Sequence, residues 1–292
     1  MGLIGKFAAS VGFRRPADSF LTGHVSVLAP VVLGGCGRSG TTLLRMILDS
    51  HPAICCGPES NVFRRSALDP AELALKFDLD PNRVCAIHAA AGSRPAFIED
   101  FAGLCMERTG KRRWAEKTPR NIRRLDVIFR HFPQARFIHV LRDGRDVACS
   151  LRTHPRHKVM HGELVPVNTW KPIAGCARRW RNDIERSRPY WSDPRFRTLR
   201  YEELVLNPRP VLERLMLFVG EAWDNRLLEH AGAGSPFRDV TTFAQNPEAL
   251  EPVNTRAVSR WERDLDAKDR RIFKRIAGKL LIELGYAVDD DW

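Results

Sequence analysis

Val31-Val32-Leu33-Gly34-Gly35-Cys36-Gly37-Arg38-Ser39-Gly40-Thr41-Thr42-Leu43-Leu44 decides the fold. Its first five residues read as a short strand without a polar face, as in a sheet covered on both sides. A glycine-rich turn follows, and Thr42 to Ser50 reads as a helix, closed by His51-Pro52 because a residue before proline is pushed out of the helical region. Glycines in such a turn let the backbone approach an anion, and the helix start points free N–H groups at it. Arg38 adds a charge; Ser39, Thr41 and Thr42 add hydroxyl donors. Gly35 and Gly40 have the spacing of a nucleoside-triphosphate loop, but Thr41 stands where that loop carries its lysine. The pattern predicts an anion-binding loop that requires no metal.

Outward from this loop, strand and helix patterns alternate. Ala53–Cys56, Arg113–Glu116, Arg136–Leu141 and Phe196–Arg200 read as strands. Residues 68–109, 120–131, 143–152, 170–188, 209–220 and 266–284 read as mostly helical, with Asp69-Pro70, Asp80-Pro81 and Arg94-Pro95 as punctuation. Residues 154–169, rich in His, Pro and Gly, read as a loop over a site, and 232–258 as loop-rich. The expected fold is α/β, a P-loop-type single domain with a central parallel sheet flanked by helices. Residues 1–29 are set apart as an N-terminal tail, 30–292 form the domain, and 60–110 a helical elaboration.

The 292 residues carry 47 Lys and Arg against 35 Asp and Glu, a net charge of +12 that favours anionic partners. The basic residues are spread along the chain, so no nucleic-acid partner is expected. The seven cysteines, Cys36, Cys55, Cys56, Cys85, Cys105, Cys149 and Cys176, are odd in number and lack CxxC spacing. Neither a disulfide framework nor a zinc site is indicated, and a reducing, cytoplasmic setting is the simplest expectation. No apolar run is long enough to predict a transmembrane segment. The histidines His154, His157 and His161 lack companion ligands for a metal.

A second motif, Arg136-Phe-Ile-His-Val-Leu-Arg142-Asp143-Gly144-Arg145-Asp146-Val-Ala-Cys-Ser150, places an arginine at a strand end and a serine eight residues on, two turns into the next helix. A phosphate between them can accept from both. Together the two motifs resemble the 5′-phosphosulfate loop and the 3′-phosphate motif of sulfotransferases that use PAPS (3′-phosphoadenosine-5′-phosphosulfate). The resemblance extends to Tyr201-Glu-Glu-Leu-Val-Leu-Asn207-Pro208 and to Pro252-Val253-Asn254 through Ser259-Arg260-Trp261, and is greatest to the tyrosylprotein sulfotransferase branch.

It implies PAPS as co-substrate without a metal, held by Arg38, Ser39, Gly40, Thr41, Thr42, Arg142, Ser150, Tyr201, Asn254 and Arg260. By the same resemblance Glu59 is the general base and Lys117 stabilises the transition state, with Glu116 a rival base. The implied acceptor bears a hydroxyl: a peptide tyrosine, carbohydrate, lipid or small molecule. Arg64, Arg65, the histidine-rich segment and the basic helix near 178–188 suit an acidic one, and a homodimer stays open. Departures from the branch are Pro58 at a second acidic position, Ala115 where the disulfide partner of Cys56 belongs, His154 for a nucleotide-contacting arginine with Arg152 close by, and Gln245 for a serine. The rival readings are a P-loop kinase-like phosphotransferase and a non-catalytic anion- or nucleic-acid-binding protein.

Overall fold

The computed structural model describes residues 16–64, 66–153, 156–160, 163–167, 170–232, 237 and 247–292. Five strands, β1 (Val31–Gly35), β2 (Ile54–Cys56), β3 (Arg113–Lys117), β4 (Arg136–Leu141) and β7 (Phe196–Arg200), form one parallel sheet in the order β2-β3-β1-β4-β7. β1 is central and buried throughout. That explains its apolar run, since both faces of a parallel sheet are covered by the crossover helices. On one face α1 (Thr41–Ser50) packs with α8 (Tyr201–Leu206) and α9 (Pro208–Val219) through Leu44, Ile47, Leu204, Leu212 and Met216. On another side α6 (Gly144–Thr153), α7 (Ile173–Ser187) and α11 (Ala267–Glu283) meet around Trp180 and Phe273.

The 68–109 stretch folds as three helices, α2 (Pro70–Phe77), α3 (Pro81–Ala90) and α4 (Arg94–Thr109). Each start is set by a side-chain cap: Asp69 accepts from the Ala71 and Glu72 amides, Asp80 from Asn82, and Ser93 from Ala96. A proline follows each cap where its missing N–H would have had no helical partner. Their apolar faces join Phe63, Phe77, Phe97, Phe101 and Trp114 in a phenylalanine-rich core.

Three expectations change. The 120–131 helix is a 3₁₀ turn, Pro119–Arg123, followed by α5 (Leu125–His131). Within 154–169, the described residues form an antiparallel pair rather than a loop: β5 (Arg156–Met160) and β6 (Glu163–Val167), with Arg156 opposite Val167. The His, Pro and Gly content hid two short strands with only scattered valines, and Pro166 is tolerated because a two-stranded ribbon has only edge strands. Residues 16–29, grouped with the tail, lie against the domain. Ala17 and Ser26 are buried, the Ser26 amide donates to the His131 carbonyl (2.7 Å), and Arg94 pairs with Asp18 (2.7 Å). Residues 1–15 are outside the described residues.

Candidate active site

Every strand of the sheet runs the same way, so the carboxyl ends of β1, β2, β3 and β4 open on one edge, where ligands of open α/β sheets bind. After β1 the chain turns through Cys36–Gly40 into α1. Gly40 has φ 96°, and a Cβ there would lie 2.4 Å from the Tyr201 ring. Only glycine fits both demands. No side chain caps α1, which leaves its first amides facing the turn. Arg38 also adopts a positive φ, 78°, which an arginine enters only at a conformational cost.

A cavity of about 300 Å³ lies against this turn, lined by Arg38, Gly40, Thr41, Thr42, Arg142, Ser150, Tyr201, Asn254 and Arg260 among others. Nine of the ten residues expected to hold the nucleotide are thus brought together from four separated segments. Ser39 is the exception: it is buried beneath the turn, its amide donating to the Cys36 carbonyl. Arg38 reaches across to Ser150, Nε to Oγ 2.9 Å. Burial and the neighbouring Arg142 charge lower Arg38 to about 10, so it stays charged at neutral pH.

The Arg142 guanidinium lies 4.6 Å from the Tyr201 ring centroid. It donates to the Arg38 carbonyl (3.1 Å) and to that of Ala257, while its buried Nε lacks a partner. Asp143, the obvious ion-pair partner by sequence, pairs instead with Arg145 at 2.8 Å. Asp146, on the next turn of α6, accepts from the Ser259 and Trp261 amides (both 2.9 Å) and so fastens the 252–260 segment over the cavity. Burial raises its carboxyl to about 6 against the opposing pull of Arg142. Arg260 is held by Asp264 at 2.6 Å. Arg152 pairs with Asp269 at 2.6 Å and is outside the cavity lining, so it does not replace the arginine missing at His154. His154, Arg65 and Gln245 fall outside the described residues.

Beside the cavity, Lys117 at the end of β3 and Glu59 after β2 form an ion pair, Nζ to Oε1 2.9 Å. The lysine side chain is 0% exposed and the glutamate side chain 41%. A buried ammonium needs such a partner, while the open side of Glu59 can meet an incoming group. Arg38 feels the charge of Glu59 as well as that of the cavity residue Glu248.

The rival base Glu116 points elsewhere. It is buried, and accepts from Ser60 Oγ and Thr118 Oγ1 (both 2.7 Å) and from Asn121 Nδ2. Burial raises its pKa. Its three bonds stitch the loop after β2 to the end of β3, and Asn121 continues the stitch to the Leu33 carbonyl (3.0 Å). Arg45 of α1 adds another, its Nε donating to the carbonyls of Cys56 (3.0 Å) and Gly57 (3.1 Å). Sequence reasoning missed these positioning residues: a mid-helix arginine and an asparagine after a proline look like surface residues until burial is known.

Further arginines gather near the turn after β1. A Cβ at Gly37 would lie 2.7 Å from the Arg179 guanidinium of α7. Burial lowers the Arg120 pKa, and the charges of Arg179, Arg64 and Arg123 lower it further, with Asp183 the opposing charge. Among the described residues no group of His, Cys, Asp and Glu is arranged to hold a metal ion.

The model of the Sulfotransferase family matches residues 30–225. The protein-tyrosine sulfotransferase of Drosophila melanogaster is 27% identical over 269 residues, covering 88% of this chain and 51% of the relative. Protein-tyrosine sulfotransferase 2 of Gallus gallus is 26% identical over 264 residues, covering 88% and 69%. The chain therefore spans about half the length of the Drosophila relative. Among solved structures, the sulfotransferase domain of the Synechococcus PCC 7002 olefin synthase superposes with a TM-score of 0.64 at 22% identity, covering 88% of this chain and 95% of the other. Mouse sulfotransferase SULT7A1, solved in complex with PAP, gives 0.56 at 14% identity, covering 94% and 92%. At these identities the structures establish a shared fold. With the greater part of its length matched by the family model, the chain belongs to the sulfotransferase family.

Proposed function

We propose that this chain transfers the sulfuryl group of PAPS to an acceptor hydroxyl by in-line displacement and releases adenosine 3′,5′-bisphosphate. The observation that carries the reading is the convergence of the 38–42 turn, Arg142 with Ser150, and Arg260 on one cavity, with the Lys117–Glu59 pair at its side. The turn and the α1 amides receive the 5′-phosphosulfate; Arg142 and Ser150 receive the 3′-phosphate. As the acceptor oxygen bonds to sulfur, its proton passes to Glu59. The sulfur–oxygen bond to the 5′-phosphate breaks, and Lys117 and Arg38 neutralise the charge left on that oxygen.

A tyrosine in an acidic peptide is the acceptor class to test first. Its support is the mutually repelling arginines Arg64, Arg120 and Arg179, the last of which reaches the turn after β1, together with the names of the protein-tyrosine sulfotransferase relatives. The reading includes a reducing, cytoplasmic setting, supported by seven cysteines free of disulfides, and a homodimer, to be checked by light scattering. No helix among the described residues is long and apolar enough to cross a membrane.

Calorimetry with adenosine 3′,5′-bisphosphate and with ATP plus magnesium, followed by labelled PAPS over peptide, sugar and phenol acceptors, tests the proposal. Binding of the bisphosphate and label transfer are expected. Binding of magnesium-ATP without the bisphosphate would overturn it.

A further inference from the structure

Glu248 is the one carboxylate among the described residues lining the cavity, in a wall whose other charged groups are Arg38, Arg142 and Arg260, with hydroxyl, amide and apolar residues between them. It stands on a 3₁₀ turn, Pro247–Leu250, that packs against α1. Glu248 is exposed and so stands at the rim of the cavity, where its charge reaches Arg38. The other amide or carboxylate oxygen nearby, Asn254 Oδ1, accepts from the Arg256 amide, and Ser150 Oγ accepts from Arg38.

The nucleotide of the proposed function carries two phosphate groups, which a carboxylate repels. Against those groups Glu248 only weakens binding. The same nucleotide has only two hydrogen-bond donors, the exocyclic amine of adenine and the ribose 2′-hydroxyl. Beyond its pull on the cavity arginines, a carboxylate at this rim favours the nucleotide directly only where it accepts from one of them. Resting on the sulfotransferase reading, we infer that Glu248 is a specificity-determining residue that accepts a hydrogen bond from a donor of the nucleoside, so that the site reads adenosine as well as its phosphates.

The experiment is a set of calorimetric titrations of the full chain, wild type and Glu248→Ala, with three ligands. These are adenosine 3′,5′-bisphosphate, its 2′-deoxy analogue, and the 3′,5′-bisphosphate of purine riboside, which lacks the amine. For wild type one analogue is expected to bind about tenfold more weakly than the parent, as for a lost charge-assisted hydrogen bond. In Glu248→Ala that ratio should collapse towards one, and which analogue shows the collapse identifies the donor. Glu248→Gln, which keeps an oxygen acceptor without the charge, should retain part of the discrimination. If both analogue ratios are the same in wild type and Glu248→Ala, whatever the absolute affinities, the inference is overturned while the proposed function stands. Failure of the wild type to bind adenosine 3′,5′-bisphosphate would instead remove the sulfotransferase reading and this one with it.

Discussion

Lys117 and Glu59 sit 2.9 Å apart beside the nucleotide cavity and outside its lining, and this separates chemistry from binding at the level of single side chains. Lys117→Ala and Glu59→Gln should keep the affinity for adenosine 3′,5′-bisphosphate and lose turnover. Removing the base is expected to slow kcat by about 10²- to 10⁴-fold. Arg142→Ala should do the reverse first, weakening the bisphosphate by roughly 1.5–3 kcal/mol for a lost charged hydrogen bond. Calorimetry alongside single-turnover transfer distinguishes the two patterns. Full activity of Glu59→Gln would move the base elsewhere, and the buried, triply bonded Glu116 is poorly placed to inherit the role. The residue types were legible in the sequence because a glycine-rich turn with Arg and hydroxyls has few other uses. Arg45, Asn121 and Arg120 were not singled out, and Arg179 only as part of the basic helix near 178–188, because what they do depends on which loops the fold brings beside them.

At the scale of elements, β4 carries the second motif and also holds a buried histidine. His139 packs 5.7 Å from Phe196 of the neighbouring β7, and burial lowers its pKa from 6.5 to about 4. An unfolded chain takes up a proton near 6.5 that the folded chain refuses until about 4. The contribution to stability is therefore complete above pH 6.5 and falls as the pH drops towards 4, by roughly 3 kcal/mol over the window. Urea midpoints at pH 7.5 and 5 should differ for the wild type, and the difference should shrink in His139→Leu. An unchanged difference would assign the acid sensitivity to other groups. The strands of the sheet were readable from their apolar runs, and the prolines at 70, 81 and 95 marked helix starts correctly. The β5–β6 pair was not readable, since its alternation is short and interrupted by residues that usually signal a loop.

Across the whole molecule, the cysteines are distributed through all three cores. Cys36, Cys55, Cys56, Cys105, Cys149 and Cys176 are buried, and Cys85 alone is exposed. Burial raises the Cys36, Cys56 and Cys149 thiols, among others, well above their ordinary range, so they are inert while the fold holds. Native protein should release the colour of one thiol with a disulfide reagent and of seven after denaturation. Several fast-reacting thiols in the native state would show that the cores breathe. The net charge set a preference for anions without locating it. The sheet order does that, by collecting the ends of β1, β2, β3 and β4 on one edge.

Cys56 lies directly beside Ala115 in the register of β2 and β3, and both side chains enter the same apolar cluster. Neighbouring strands are about 4.8 Å apart, within the Cα separations that a cystine spans. Ala115→Cys therefore creates a covalent latch between the two strands whose ends present Glu59 and Lys117. Under oxidant the variant should show one fewer pair of titratable thiols and a higher melting temperature, both reversed by dithiothreitol. Activity measured across that cycle would then report how much turnover depends on freedom between the base and the lysine.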